Sequence, residues 1–231
     1  MTSDKRIADS DVSAEVLAKR LKVTMIIEGT DPALTSICRV GSPAPPFSVP
    51  AVQPDGTFST VTLDDFKGQY LVLLFYPADF TFVCPTEITG FSDRLKEFSE
   101  LDCAVAVIST DSEYVHYNWR QQHRANGGVG EVAVPMLADR SKEVSRRYGV
   151  LCEESGLAFR ALFVVDPKQK VRAVQINDMP VGRSVDEALR LVSALKFSDE
   201  HGVVCPANWR PGNAAIRPDM QGSKAFFKEI A

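Results

Sequence analysis

The chain lacks any run of about 18 apolar residues, so no membrane-spanning helix is expected. It lacks an excess of positive charge. The 26 Lys and Arg against 30 Asp and Glu leave a formal net charge of −4, which gives no electrostatic basis for binding nucleic acid or an anionic membrane. The opening residues, Met1-Thr2-Ser3-Asp4-Lys5-Arg6 with Asp9 and Asp11 soon after, lack the apolar core of a signal peptide and carry acids that a mitochondrial transit peptide avoids. The expected compartment is therefore the cytoplasm. No internal repeat is present, and there is no CxxC pair. The five cysteines, Cys38, Cys84, Cys103, Cys152 and Cys205, are an odd number whose spacing fits neither a disulfide framework nor a zinc site. Without a secretory signal, reduced thiols are the default, and each cysteine reads first as a buried structural residue.

What is there suffices for one large domain with extensions. A chain of 231 residues buries roughly 70% of the surface it exposes unfolded and needs no disulfide to fold. Residues 1–39 form a leader in which Val12, Val16, Leu17 and Leu21 have helical spacing, with Asp11 placed to cap the start. The stretch Gly41-Ser42-Pro43-Ala44-Pro45-Pro46 marks entry into the main domain, 40–197. Strands are expected over Phe58–Leu63, Leu71–Tyr76, Ala104–Ser109 and Val132–Leu137, and a hairpin over Leu162–Val165 and Val171–Ile176. Helices are expected along the face Ile88, Phe91, Leu95 and Phe98, over Glu113–Arg124, over Ser141–Tyr148 up to Gly149, and along Val185, Leu189, Val192 and Leu195. Strands alternating with helices, plus one hairpin, indicate an α/β layered fold. The tail, 198–231, carries Pro206, Pro211 and Pro218 and is expected to wrap a surface or a partner.

Cys84 stands where the buried run Leu71-Val72-Leu73-Leu74-Phe75-Tyr76 hands over to a helix beginning near Pro85, a residue favoured at the first helical position. An anion there meets free N–H groups and the positive end of the helix dipole. That matters because a free thiol, with a pKa of about 8.5, is only a few per cent thiolate at neutral pH. Thr81, three residues before, brings a hydroxyl that can donate and accept. Pro77 has no N–H and can shield the pocket. On position alone two readings stand: an activated nucleophile, or a buried cysteine with Thr81 as a turn former. Cys103, beside an apolar strand, reads as core. Cys152, followed by two glutamates, reads as a thiol whose anion is disfavoured by local charge.

The string Phe75-Tyr76-Pro77-Ala78-Asp79-Phe80-Thr81-Phe82-Val83-Cys84-Pro85-Thr86-Glu87 closely resembles the peroxidatic loop of the typical 2-Cys peroxiredoxins. Val204-Cys205-Pro206-Ala207-Asn208-Trp209 is similar to that family's resolving-cysteine motif. The resemblance runs from about Val40 to Gly212, and loosely beyond. It implies a thioredoxin-like fold with a central mixed β-sheet flanked by helices, an N-terminal leader and an extended C-terminal tail. It implies a peroxidase that needs no metal, haem or flavin. Cys84 would be the peroxidatic thiol, Thr81 and Pro77 its pocket, Arg160 the cation that stabilises charge there, and Glu87 and Arg183 that arginine's supporting network. Cys205 would resolve the Cys84 sulfenic acid as a disulfide between the subunits of a homodimer, and such dimers often assemble five to a ring. The implied substrate is a hydroperoxide and the implied reductant a thioredoxin-like protein. Members of this family also act as chaperone-like holdases and as peroxide sensors through the same cysteines, which is the alternative reading. The missing CxxC argues against a thioredoxin-like disulfide reductase. The family's overoxidation-linked strings are matched by Gly127-Gly128-Val129-Gly130 and by Phe226-Phe227, where Phe226 lacks a phenol hydroxyl. One tail-locking hydrogen bond would be lost, and intermediate sensitivity to overoxidation is expected.

Overall fold

A computed structural model describes residues 38–230, so the leader helix expected around Val12–Leu21 lies outside the described residues. The elements run β1 (Ser48–Val52), β2 (Phe58–Thr62), β3 (Tyr70–Phe75), α1 (Cys84–Asp93), α2 (Leu95–Glu100), β4 (Cys103–Ser109), α3 (Glu113–Gln121), β5 (Met136–Ala138), α4 (Glu143–Arg147), β6 (Leu151–Cys152), β7 (Leu157–Ala158), β8 (Arg160–Val165), β9 (Val171–Asn177), α5 (Val185–His201) and α6 (Met220–Ile230). Seven strands form one sheet in the order β2-β1-β5-β4-β3-β8-β9. The ladders β3–β4 and β4–β5 are parallel, and β1–β2, β1–β5, β3–β8 and β8–β9 are antiparallel. This is the mixed sheet flanked by helices that the resemblance implies.

β3 explains why the sheet is central. All six of its residues are buried, the continuous apolar pattern of a strand covered on both faces. Its side chains alternate. Tyr70, Val72 and Leu74 pack with Ile88 and Phe91 of α1, Trp119 of α3 and Val192 of α5. Leu71, Leu73 and Phe75 pack on the other face with Leu137, Tyr148 and Phe163. The sheet therefore ends at Phe75 with two cores fixed beneath it, and the chain leaves directly into the Cys84 loop.

Several expectations shift in detail. β1 carried no strand signal because Pro50 interrupts it. Pairing with β5 begins only after the proline, at Ala51 and Val52, so the missing N–H is tolerated. The helix face Ile88–Phe98 is split at Arg94, whose backbone leaves helical geometry while its guanidinium binds Glu97 and Asp186. The expected helix 113–124 stops at Gln121, and a short 3-10 turn, Arg124–Asn126, leads into Gly127 in the left-handed region. The expected strand 132–137 contracts to β5, with Val132 and Val134 buried outside it. The hairpin forms as expected, and the Asp166 carboxylate accepts from the amides of Lys168 and Lys170 in its turn. α5 runs on to His201, where Gly202 in the left-handed region ends it.

Candidate active site

Cys84 is the first residue of α1 and is 0% exposed. Pro85 is second rather than first, and the amides of Thr86 and Glu87 turn back to the Val83 carbonyl. The loop from β3 supplies the rest of the near shell. Pro77 is buried. Phe80 takes a left-handed backbone, φ 56°, an unfavourable conformation for a bulky residue, and its ring lies 5.9 Å from that of Trp119. Thr81 Oγ1 lies 2.8 Å from the Ala78 carbonyl and 2.9 Å from Cys84 Sγ. A hydroxyl has one hydrogen. With Cys84 a thiol, the S–H donates to Thr81, which donates onward to Ala78. With Cys84 a thiolate, the same hydroxyl can turn its hydrogen to sulfur. Thr81 therefore serves both protonation states without moving.

The charged wall comes from three distant segments. Arg160, the first residue of β8, places Nη1 3.3 Å from Cys84 Sγ and 2.7 Å from Glu87 Oε2, and its Nε donates to the Met179 carbonyl. Glu87 lies one turn into α1, on the same helix as Cys84. Arg183 holds Glu87 from behind. Its Nε and Nη2 donate to the two carboxylate oxygens at 2.6 and 2.9 Å, and its backbone N–H donates to Oε1 at 2.8 Å. Arg183 Nη1 also donates to the carbonyls of Ala161 and Phe75, two residues paired across β3 and β8. Burial pulls the Arg183 guanidinium below its usual range, opposed by Glu87, yet an arginine stays charged. Two guanidiniums and one carboxylate leave one buried positive charge in excess. Cys84, hydrogen-bonded to Arg160, is the group placed to balance it. The structure thus brings together Thr81, Cys84, Glu87, Arg160 and Arg183, and Pro77 is buried in the same loop.

It does not bring Cys205 to them. That thiol donates to the Ala194 carbonyl on α5 at 3.5 Å, and the five cysteines are free. Burial holds the Cys205 thiol up, only partly opposed by Arg190. Cys103 is buried as expected and burial pushes it up to about 12. Burial also pushes Cys38 up to about 11. Cys152 departs from expectation: hydrogen bonds from Ser155 lower it, opposed by desolvation and, least of all, by the Glu154 charge. Among the described residues, no three His, Cys, Asp or Glu side chains are grouped to hold a metal ion, and no helix is long and apolar enough to cross a membrane.

The sequence pattern gave no sign of a second buried polar group beneath the loop. Asp79 accepts from the Tyr76 hydroxyl at 2.7 Å and faces His116 Nδ1 at 2.7 Å. Its own amide donates to Asp111. His116 Nε2 lies 3.1 Å from the Leu137 carbonyl, which only accepts, so that nitrogen carries a hydrogen. One more proton is then shared between Nδ1 and the carboxylate. Burial pulls the imidazolium down, but Asp79 more than offsets this, and His116 lies above its ordinary value. Burial likewise raises Asp79, with His116 opposing. In the unfolded chain His116 loses its proton near pH 6.5, while the folded pair keeps it to higher pH. The His116 contribution to stability is therefore full below about pH 6.5 and falls as pH rises through the folded value. Urea midpoints should decline from pH 6.5 to 9 in the wild type and decline less in Asp79→Asn. There the amide can donate to a neutral His116 and no proton is at stake. An equal decline in both proteins would remove the pair as its source.

The glycine string closes over the end of α1. A side chain at Gly128 would bring its Cβ within 2.0 Å of the Gln122 carbonyl oxygen. The Gly127 carbonyl accepts from the Trp119 indole, and Arg124 joins the Val129 carbonyl to Asp93, the last residue of α1.

Comparison with known proteins gives the family. Residues 40–174 match the AhpC/TSA family, and residues 194–229 match the C-terminal domain of 1-Cys peroxiredoxin. The chain is 50% identical over 192 residues to a thioredoxin peroxidase of Trypanosoma brucei rhodesiense, covering 83% of this chain and 96% of that one. It is 54% identical over 190 residues to peroxiredoxin prdx-2 of Caenorhabditis elegans, covering 82% and 94%. Among solved structures it is similar to the reduced 2-Cys peroxiredoxin of Plasmodium vivax, with TM-score 0.80, 37% identity and coverage of 82% and 98%. It is also similar to the AhpC of Enterococcus faecalis, with TM-score 0.69, 38% identity and coverage of 74% and 100%.

Proposed function

The chain belongs to the AhpC/TSA family as a typical 2-Cys peroxiredoxin with a thioredoxin-like fold, and from that premise we propose that Cys84 is its peroxidatic nucleophile and Cys205 its resolving thiol. It is a thiol-dependent peroxidase. The observation that carries the assignment is the buried Cys84 sulfur set between the Thr81 hydroxyl and the Arg160 guanidinium.

The Cys84 thiolate attacks one oxygen of the hydroperoxide. The O–O bond breaks, sulfur takes that oxygen as a sulfenic acid, and the other oxygen leaves with a proton as water or an alcohol. Arg160, aimed by Glu87 and the Met179 carbonyl, faces the charge that grows on the oxygens and does not have to reorganise to meet it. Thr81 holds the peroxide through its hydroxyl, and Pro77 keeps a competing N–H out of the pocket. The Cys205 thiol then condenses with the sulfenic acid, expelling water and forming a disulfide. A thioredoxin-like dithiol reduces that disulfide and is itself oxidised.

A disulfide needs Cα atoms within about 7 Å. Cys84 begins a helix in a closed pocket, and Cys205 is docked on α5, so both must leave their places. In this scheme the second cysteine comes from a partner subunit, in a homodimer that can assemble further into a ring of five. Its setting is the cytoplasm, where dithiol donors keep both cysteines reduced. Phe226 packs edge-on against Phe227 at 5.7 Å and has no hydroxyl to lock the tail, in keeping with intermediate sensitivity to overoxidation. Non-reducing electrophoresis after one equivalent of hydrogen peroxide tests the scheme. A covalent dimer should form in the wild type and be absent from Cys205→Ser, which should also stop cycling with a thioredoxin donor. Normal cycling in that variant would overturn the resolving role.

A further inference from the structure

The segment that carries Cys205 is held down on α5 at several points. Trp209 is 2% exposed. Its ring lies 4.9 Å from that of Phe197 and its indole donates to the Asn213 carbonyl. Two side chains of α5 reach the segment's backbone: Ser198 Oγ donates to the Val203 carbonyl at 2.6 Å, close to the helix end, and Arg190 Nη1 donates to the Trp209 carbonyl at 3.3 Å, farther along. The guanidinium is aimed by Glu187, one turn earlier, which accepts from Nε at 2.6 Å and from Nη2 at 2.7 Å. Arg190, Ala194, Ser198 and Cys205 border one hollow of about 360 Å³, and there the Cys205 thiol is given to the Ala194 carbonyl. A carbonyl partner favours the S–H form over the anion, so a docked Cys205 is a poor nucleophile.

We propose that Glu187 and Arg190 form a strap on the resolving segment, setting how often Cys205 leaves α5 and so the rate of disulfide formation once Cys84 is oxidised. The proposal rests on the reading of Cys205 as the resolving thiol. Arg190 acts here as a positioning residue. It makes no hydrogen bond to Cys84, Thr81 or Arg160, so the peroxide step does not depend on it. The gated step is the condensation of the Cys84 sulfenic acid with the Cys205 thiol, which forms the S–S bond and releases water. The sulfenic acid that waits is the species a second peroxide oxidises to sulfinic acid. A weaker strap therefore shortens the wait and raises the peroxide dose the enzyme survives.

The test is rapid mixing of the reduced full-length protein with hydrogen peroxide, separating sulfenic-acid formation from disulfide formation. In Arg190→Gln the disulfide phase should be about three- to tenfold faster, the range set by losing one hydrogen bond to a partly buried group. Glu187→Gln should accelerate it about twofold or more, and Arg190→Lys should fall between the wild type and Arg190→Gln. Iodide quenching adds a signature that a general loss of stability would not give. The chain has two tryptophans, and Trp119 is fully buried. New quenching in the folded, reduced variants therefore reports Trp209 lifting from α5. A disulfide phase no faster than wild type in Arg190→Gln and Glu187→Gln, or a faster phase without new quenching, would overturn the strap. If Arg190→Gln does not fold, Glu187→Gln carries the test. Cys205→Ser run alongside separates the two claims: normal cycling there defeats the resolving assignment itself, whereas blocked cycling with unchanged kinetics in the strap variants defeats only the strap.

Discussion

Serine in place of Cys84 should reduce peroxide consumption to the uncatalysed background. The substitution is close to isosteric and leaves the cradle satisfied, because a hydroxyl can accept from Arg160 and exchange a hydrogen bond with Thr81 in place of the sulfur. It removes the one atom that can pass through the reaction. Oxygen in a serine is not ionised at neutral pH, is a poor nucleophile there without an adjacent base, and cannot take up a second oxygen as sulfur does. The folded protein should persist, with a circular-dichroism melting curve close to the wild type. The measurement is peroxide disappearance in the presence of a thioredoxin-type donor. Turnover by Cys84→Ser at more than a few per cent of the wild-type rate would refute the assignment.

Arg160→Met should lower the second-order rate of peroxide with Cys84 by about 10²–10³, the usual cost of deleting one fixed donor aimed at developing charge. The physical case lies in what remains. Glu87 stays paired with Arg183 through three bonds, so the buried cluster becomes neutral instead of carrying a charge in excess. No buried ion is orphaned, and the fold should survive because the methionine fills much of the vacated apolar volume. What disappears is the positive charge 3.3 Å from sulfur. Arg160→Lys should recover little, since a single ammonium cannot reproduce the fork that binds the Met179 carbonyl, Glu87 and sulfur together. Stopped-flow rates from tryptophan fluorescence decide the matter. A rate for Arg160→Met within threefold of the wild type would mean that the guanidinium only braces Glu87.

The parts of the site that lie close together in the chain are legible in the sequence. Pro77, Thr81 and Cys84 fall within eight residues at the end of an apolar strand, and the resemblance carried by that string decides between the two readings that position alone leaves open. Arg160 and Arg183 are recognisable only through resemblance, since a lone arginine at a strand end looks like a surface charge. The Tyr76–Asp79–His116 group leaves no trace there, because its members reach one another from the end of a strand, a loop and a helix. The strap of Glu187 and Arg190 is equally silent: on a helix it is an ordinary pair three residues apart, and its meaning comes from the tail carbonyl it meets.

The amino-acid order by itself determined the alternation of strands and helices, the buried run that ends at Phe75, and the thiol that opens the following helix, because hydrophobic period and local turn chemistry act over a few residues. Tertiary structure decided which charges face that thiol. Pairing β3 with β8 aligns Phe75 with Ala161, and the two carbonyls hold Arg183, which holds Glu87, which aims Arg160 at the sulfur. The hydrogen bonds in that chain span up to 108 residues of sequence, so only a closed sheet could bring the partners within reach of one another.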